Sequence, residues 1–151
     1  MTPPVIRKAT PAEAEVVKAI TDAAYHKYIA VIGRLPQPMT ADYSQMAGEH
    51  DIWLLSVGEQ VVGLIVLMNK PDHILIYNLA IRPEQQHRGW GRRLLAWAET
   101  EAARQGYHLI RLYTNALMEG NVAYYQRYGY GETGREDYLG STLVYMEKRL
   151  E

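Results

Sequence analysis

The sequence predicts an α+β fold in which a mixed, mostly antiparallel, twisted sheet is flanked by about four helices. Two apolar segments, residues 51–57 and 60–68, are joined by a Gly-Glu turn and predict a β-hairpin. A strand over residues 73–81, a helix over about 88–105 and a strand over 108–114 predict a crossover connection. Hairpins and crossovers together indicate a sheet that contains both strand orientations.

The first part of the chain predicts one strand and two helices. Val5 to Lys8 predicts a short strand, and Thr10 to Glu13 forms a capping box with proline at the first helical position. Apolar residues at helical spacing extend this helix to about Gly33. After an irregular connector, Thr40 is expected to cap a second helix that ends near Gly48.

The last part of the chain predicts a helix over roughly 120–128 and two closing strands, over about 130–135 and 138–148. The longer closing strand is expected to leave a sheet edge, so a homodimer paired across a two-fold axis and a monomer are both open. The sequence contains no repeat, low-complexity tract or linker. We therefore expect residues 1–151 to form one domain.

The composition excludes several classes of function. The chain carries a formal net charge of −1, which provides no long-range field for nucleic acid or an anionic membrane. It has no apolar run long enough to span a membrane and no signal peptide, so we expect a cytoplasmic protein. It has no cysteine, and its histidines show no metal-binding spacing, so we expect no metal site.

The segment from Ile81 to Leu95 predicts a phosphate-binding loop. It leads from the end of a strand into a helix, whose first amides have no intrahelical partner. Glycines let this backbone approach an anion, and positive charge is added by Arg88, Arg92 and Arg93. The loop lacks the Lys-Ser/Thr pair of a P-loop, and Leu94 occupies the third glycine position of a dinucleotide-binding motif.

Residues 86–91 instead fill the pattern Gln/Arg-x-x-Gly-x-Gly/Ala. With the preceding Ile-x-Pro, they resemble the coenzyme A pyrophosphate loop of the GCN5-related N-acetyltransferase (GNAT) family. Residues 121–130 are similar to the family's Asn-x-x-x-Tyr-x-x-x-Gly-Phe/Tyr element. The two elements occur in the family's order, and the resemblance extends over nearly the whole chain. It implies the acyl-CoA N-acyltransferase fold.

The resemblance implies acetyl-CoA, or another short acyl-CoA, as cofactor and transfer of the acyl group to a primary amine. It also implies that the strand before the loop separates from its neighbour, so that its backbone bonds the pantetheine arm and the thioester carbonyl. The residues implied to bind the cofactor are Leu79, Ala80, Ile81, Gln86, His87, Arg88, Gly89, Trp90, Gly91, Arg92 and Asn121.

Tyr125 matches the family's general acid, which protonates the leaving sulfur. It alone lies four residues before Gly129, although a chain with 12 tyrosines and no phenylalanine must also use tyrosines for packing. Asn121 lies one turn earlier on the same helical face, and its alternative role is to cap this helix.

The general base stays open at the level of the sequence. Many family members carry a glutamate on the strand before the loop, but residues 73–79 contain no carboxylate. The ordinary pKa of histidine would suit His73 to act as the base, but His73 lies at a turn. Tyr77 is too weak an acid to act as the base without help from another group. A water relay or an amine that is already neutral would also meet the requirement.

The acceptor is expected to be a small-molecule or peptide amine. In this family the acceptor pocket is usually built from the first two helices and their connector, which here contain Tyr25, Tyr28 and Arg34, with Tyr77 opposite. Arg34 either receives a substrate carboxylate or is a solvated loop charge. An alternative function is a non-catalytic acyl-CoA-binding or regulatory module, because the pre-loop carboxylate is missing. An unrelated nucleotide-binding domain is disfavoured by Leu94.

Overall fold

The structure, a computed structural model, describes residues 3–151. It contains a seven-stranded sheet in the order β1-β2-β3-β4-β5-β7-β6, and every neighbouring pair is antiparallel except β4–β5. The strands are β1 Pro4–Lys8, β2 Asp51–Val57, β3 Gln60–Asn69, β4 Ile74–Ile81, β5 Leu109–Asn115, β6 Gly131–Tyr138 and β7 Ser141–Arg149. The predicted α+β class with a mostly antiparallel sheet is confirmed.

Helices cover both faces of this sheet. The α-helices are α1 Ala14–Tyr25, α2 Tyr28–Ile32, α3 Tyr43–Glu49, α4 Trp90–Arg104 and α5 Asn121–Arg127, with short 3-10 turns at Pro11–Glu13, Gln37–Thr40 and Pro83–Gln85. On one face, Leu94, Leu95 and Ala98 of α4 are buried against the strands. On the other face, Val17 and Ile20 of α1 belong to a second apolar cluster. None of the helices within residues 3–151 has the length and apolar character required to cross a bilayer.

Strand β4 carries a bulge that reverses which of its side chains face each layer. Val66 pairs with Asn78 and Leu67 pairs with Ile76, so Tyr77 is the extra residue. Before the bulge, Ile76 belongs to the cluster under α4, whereas after it Asn78 contacts α1 and α3. The bulge therefore changes the side-chain alternation in the middle of the strand.

The same strand separates from its parallel neighbour. Pairing between β4 and β5 ends at Ile76 and Leu112, although β4 continues to Ile81 and β5 to Asn115. The backbone of residues 77–81 on this side has no strand partner. The separation that the family resemblance implied is present.

Three local predictions were wrong. The first helix does not run unbroken to Gly33, because Ile29 N–H bonds His26 O in an i→i+3 turn that separates α1 from α2. Thr40 does not cap the second helix. Its hydroxyl donates to Gln37 O, whereas the Asp42 carboxylate accepts from the first amides of α3.

The third correction concerns the closing strands. The turn lies at Leu139-Gly140, where the φ angles are 49° and 86°, so that Tyr138 ends β6 instead of beginning the last strand. The last strand then inserts between β5 and β6. It is an interior strand, and the polar, exposed β6 forms the sheet edge on this side. The expected edge over residues 138–148 is therefore misplaced.

Candidate active site

The loop between β4 and α4 presents a run of free backbone amides. After Gln86 N–H, which donates to Pro83 O, the next amide with a backbone acceptor is that of Arg93, at 3.1 Å from Gly89 O. Gly89 caps the helix with a φ of 87°, and His87 also has a positive φ, 64°. The amides of residues 87–92 are thus available to an anion at the positive end of a fifteen-residue helix.

Glycine occupies the two glycine positions of the motif, Gly89 and Gly91, for different structural reasons. Gly89 has the left-handed conformation that other residues adopt only with strain, and a Cβ there would meet no atom within 4 Å. A Cβ on Gly91 would lie 2.5 Å from the Tyr124 hydroxyl. Gly89 is therefore favoured by its backbone angle, whereas Gly91 leaves room for the end of the Tyr124 side chain.

Side chains of the loop mainly support its shape. Gln86 Nε2 donates to Ile81 O at 3.1 Å, which ties the loop to the end of β4. Trp90 Nε1 donates to Gln85 Oε1, and the Arg93 guanidinium lies 5.9 Å from the Trp90 ring centroid. These contacts hold the backbone in place and leave its amides free.

A cavity of about 690 Å³ lies in front of this loop, and we call it the loop cavity. Its wall combines the end of β4, the loop, the end of α1 and the outer face of α5. Lys27, Arg92 and Arg127 line it together with one carboxylate, that of Glu119. Positive charge therefore exceeds negative charge around the free amides.

A second cavity of about 420 Å³ lies where β4 and β5 separate, and we call it the inner cavity. The connector over residues 34–40 and the β6–β7 turn form a roof over it. Arg34 Nη2 donates to Leu139 O at 2.6 Å, and Gln37 Nε2 donates to the Tyr138 hydroxyl at 2.7 Å. The Tyr113 hydroxyl donates to Gln37 Oε1 at 2.9 Å. The connector and the turn are thus joined by hydrogen bonds.

The two cavities meet at a shared set of residues, Tyr25, Leu79, Asn121 and Tyr125, which line both. Tyr125 packs edge-to-face on Tyr124 and Tyr130, with ring centroids 5.3 Å and 6.0 Å away. Burial raises the pKa of the Tyr125 phenol above its usual value, so it stays protonated. A fixed proton donor therefore lies at the junction.

Comparison with known proteins decides the family. Residues 17–130 match the profile of the acetyltransferase (GNAT) family. The chain belongs to this family. It is 26% identical over 100 residues to a probable N-acetyltransferase 14 from Xenopus tropicalis, a match that covers 64% of this chain and 48% of that protein. The chain thus spans about half the length of this curated relative.

Solved GNAT structures share the fold at low sequence identity. The PaiA N-acetyltransferase of Thermoplasma acidophilum, solved with coenzyme A, superposes with a TM-score of 0.80 at 19% identity, covering 97% of this chain and 99% of that chain. A GNAT acetyltransferase of Elizabethkingia anophelis, solved with acetyl-CoA, gives 0.74 at 17% identity, covering 97% and 98%. The seven-stranded sheet of this GNAT chain is therefore the family fold.

Most of the residues predicted for the GNAT site lie on the two cavities. Of the predicted cofactor residues, the loop cavity is lined by Leu79, Ala80, Ile81, Gln86, His87, Gly89, Trp90, Gly91, Arg92 and Asn121. Arg88 belongs to the loop but lines neither cavity. Asn121 does not cap α5, because Gly120 is the cap residue. Its Nδ2 donates to Thr114 Oγ1 at 3.0 Å.

The predicted acceptor residues divide between the cavities. Arg34 and Tyr77 line the inner cavity, Tyr28 lines the loop cavity, and Tyr25 lines both. Burial raises the pKa of the Tyr77 phenol, which disfavours its acting as a base. His73 lines neither cavity and contacts Asp72 at 2.7 Å. Within residues 3–151, no group of three or more His, Asp or Glu side chains is placed to hold a metal ion.

Several residues that line the inner cavity were not predicted from the sequence. Gln37, Tyr113 and Tyr138 form the roof contacts, and no local pattern marks them, because their partners are distant in the chain. Asn78 did give a signal, as a polar residue in an apolar strand. It is buried, and its Nδ2 donates to the Thr21 and Tyr43 hydroxyls at 3.0 Å and 3.1 Å.

These contacts define the orientation of the Asn78 amide. The Thr21 hydroxyl donates to Val17 O and the Tyr43 hydroxyl donates to Pro38 O, so both can only accept from Asn78. Asn78 therefore joins the bulge of β4 to α1 and α3. This link holds Leu79, the next residue, at the junction of the two cavities.

Proposed function

We propose that this chain transfers an acetyl group, or another short acyl group, from acyl-CoA to a primary amine of a small molecule or peptide. The observation that carries the proposal is the position of Tyr125, where a basic cavity with free amides meets a second, nearly neutral cavity. Two substrates that enter from opposite sides would meet at this residue.

The loop cavity has the chemistry required to hold coenzyme A. Free amides of residues 87–92 and the Arg92 side chain suit a pyrophosphate. The unpaired backbone of residues 77–81 suits the amides of a pantetheine arm, which would pair like an added strand. The two GNAT relatives solved with coenzyme A and acetyl-CoA support this assignment.

When bound, acyl-CoA supplies an acyl group activated as a thioester. The backbone N–H of Leu79, beside the bulge, would polarise the acyl oxygen as charge develops on it. Tyr125 would donate its phenolic proton to the departing sulfur, for which a protonated phenol is required. Asn121 would hold the start of α5, and with it Tyr125, against the end of β5.

The experiment that tests the function is thiol release from acetyl-CoA with a panel of amines. Because the chain has no cysteine, every thiol detected comes from the cofactor. Acyl-CoA binding is measured separately by titration calorimetry. Amine-dependent thiol release is the expected result. Binding of acetyl-CoA with no release for any amine would contradict the proposal and favour a binding module, consistent with the missing carboxylate on β4.

A further inference from the structure

The inner cavity has almost no charge. The titratable and charged side chains that line it, taken over all the surrounding elements, are Tyr25, Arg34, Tyr77, Tyr113, Tyr125 and Tyr138. No Asp, Glu, His or Lys lines it among the described residues 3–151. The Arg34 guanidinium, at the roof, is the one formal charge on this wall.

Such a wall disfavours cations. Moving an ammonium group from water into a cavity without a counter-ion is costly, so a buried amine loses its proton more readily than in solution. A second ammonium on the same molecule would carry the same cost, and Arg34 would repel it. For a primary amine with an apolar or aromatic tail, the unfavourable free energy is limited to the loss of one proton to the solvent.

The roof also limits the size of the acceptor. Gln37 lies between Pro36 and Pro38, so the connector is locally rigid, and it is joined to the turn at both Tyr138 and Leu139. An extended peptide bound by its N-terminus would need a gap where these hydrogen bonds lie. A cavity of about 420 Å³ is within the range that encloses a small molecule.

We propose that the inner cavity selects a small primary amine with an apolar or aromatic tail and binds it as the free base. Desolvation by the cavity then replaces a protein base. The amine nitrogen forms the C–N bond, the C–S bond breaks, the sulfur takes a proton from Tyr125, and the nitrogen's surplus proton returns to Tyr125 through solvent. This inference rests on the proposed function.

Matched amines test the selection. Hexylamine and hexamethylenediamine have the same chain and differ by one terminal ammonium, while phenethylamine and a pentapeptide N-terminus differ in size. We expect kcat/KM for hexylamine and phenethylamine to exceed that for the diamine and the peptide by at least roughly tenfold. Thiol release that is fastest with the diamine or the peptide would overturn the inference and leave the proposed function intact.

The protonation state is measured without turnover. Calorimetry of phenethylamine binding to the protein loaded with coenzyme A, repeated in buffers of different ionisation enthalpy, should show release of one proton per amine bound. In the pH profile of kcat/KM, the inflection should move with the pKa of each amine. No proton release, or an inflection at one pH for all amines, would identify a protein base and overturn the inference. Proton-coupled binding without thiol release would contradict the proposed function alone.

A charge introduced into the cavity provides the final test. Leu35 lines the inner cavity and is half exposed, so Leu35→Glu should fold, and Leu35→Gln is its neutral control. We expect kcat/KM for hexamethylenediamine to be roughly two- to fivefold higher for Leu35→Glu than for Leu35→Gln, as for an exposed ion pair. Equal effects of both variants on the diamine would overturn the electrostatic basis of the selection.

Discussion

The loop cavity and the inner cavity are built in different ways. The loop cavity depends on backbone amides from one short segment, residues 87–92, and on the unpaired backbone of β4. The inner cavity depends on side chains, and its roof contacts join residues 105 and 101 positions apart in the chain. A site made of backbone can therefore be encoded locally, whereas a site made of side chains requires the complete fold.

Removing the phenol at the junction should separate the two cavities functionally. We expect Tyr125→Phe to lower kcat by about 10²-fold, because the departing sulfur loses its proton donor, while the Kd for acyl-CoA stays nearly constant. Thiol-release assays measure kcat, and titration calorimetry measures the Kd for acyl-CoA. Tyr145→Phe is the matched control, since Tyr145 lines neither cavity. An unchanged kcat would exclude Tyr125 as the acid.

A change of backbone in the loop should affect the cofactor side alone. Gly89→Ala places a side chain at a φ of 87°, which costs about 1–2 kcal/mol. If the loop relaxes to remove this strain, acyl-CoA binding should weaken by roughly tenfold, with the KM of the amine unchanged. His87 also has a positive φ, which glycine adopts without strain. His87→Gly should therefore leave the affinity for acyl-CoA unchanged. Equal losses in both variants would show that the His87 side chain takes part in binding.

A change in the roof should affect the acceptor side alone. Arg34→Met removes the hydrogen bond to Leu139 O, and because Arg34 is exposed we expect at most about a fivefold rise in the KM of every amine. The Kd for acyl-CoA should not change. Arg149→Met, at an arginine that lines neither cavity, is the control. A loss restricted to amines that carry a carboxylate would show that Arg34 binds the substrate directly.

The pH should have the smallest effect, because we expect kcat to stay nearly constant as the pH rises. Burial raises the pKa of Tyr125 above its ordinary value of 10.0, and a general acid is active below its pKa. With the free amine kept saturating, kcat should therefore stay level as the pH rises towards about 10. An ordinary tyrosine would have lost half of its protonated form at that pH. A decline of kcat that starts near pH 8 would indicate a different acid.

The predictions from sequence succeeded where neighbouring residues decide the structure. The loop from Gln86 to Gly91, the Gly58 hairpin and the capping box at Thr10 are set by backbone angles and contacts within a few residues. They failed where two local signals compete. Thr40 and Asp42 are both good caps, but the Thr40 hydroxyl donates to Gln37 O and the Asp42 carboxylate accepts from the amides of α3.

The strand order was also beyond the sequence. Nothing in residues 141–149 shows that this strand inserts between β5 and β6, because its pairing partners are chosen by contacts across the whole sheet. The bulge at Tyr77 has the same origin, since an extra residue in one strand is defined only by its partner strand. The placement of the inner cavity follows from both features.

The sequence by itself therefore determined the family and the conformation of the loop from Gln86 to Gly91, and it predicted Tyr125 as a site residue, because glycine conformations and helix termini are local properties. Only the tertiary structure decided that Gly91 makes room for Tyr124, that Gln37 bridges to Tyr138, and that a nearly neutral cavity lies beyond Tyr125. The physical reason is that close packing and the exclusion of charge are properties of a surface assembled from distant segments, which no single segment contains.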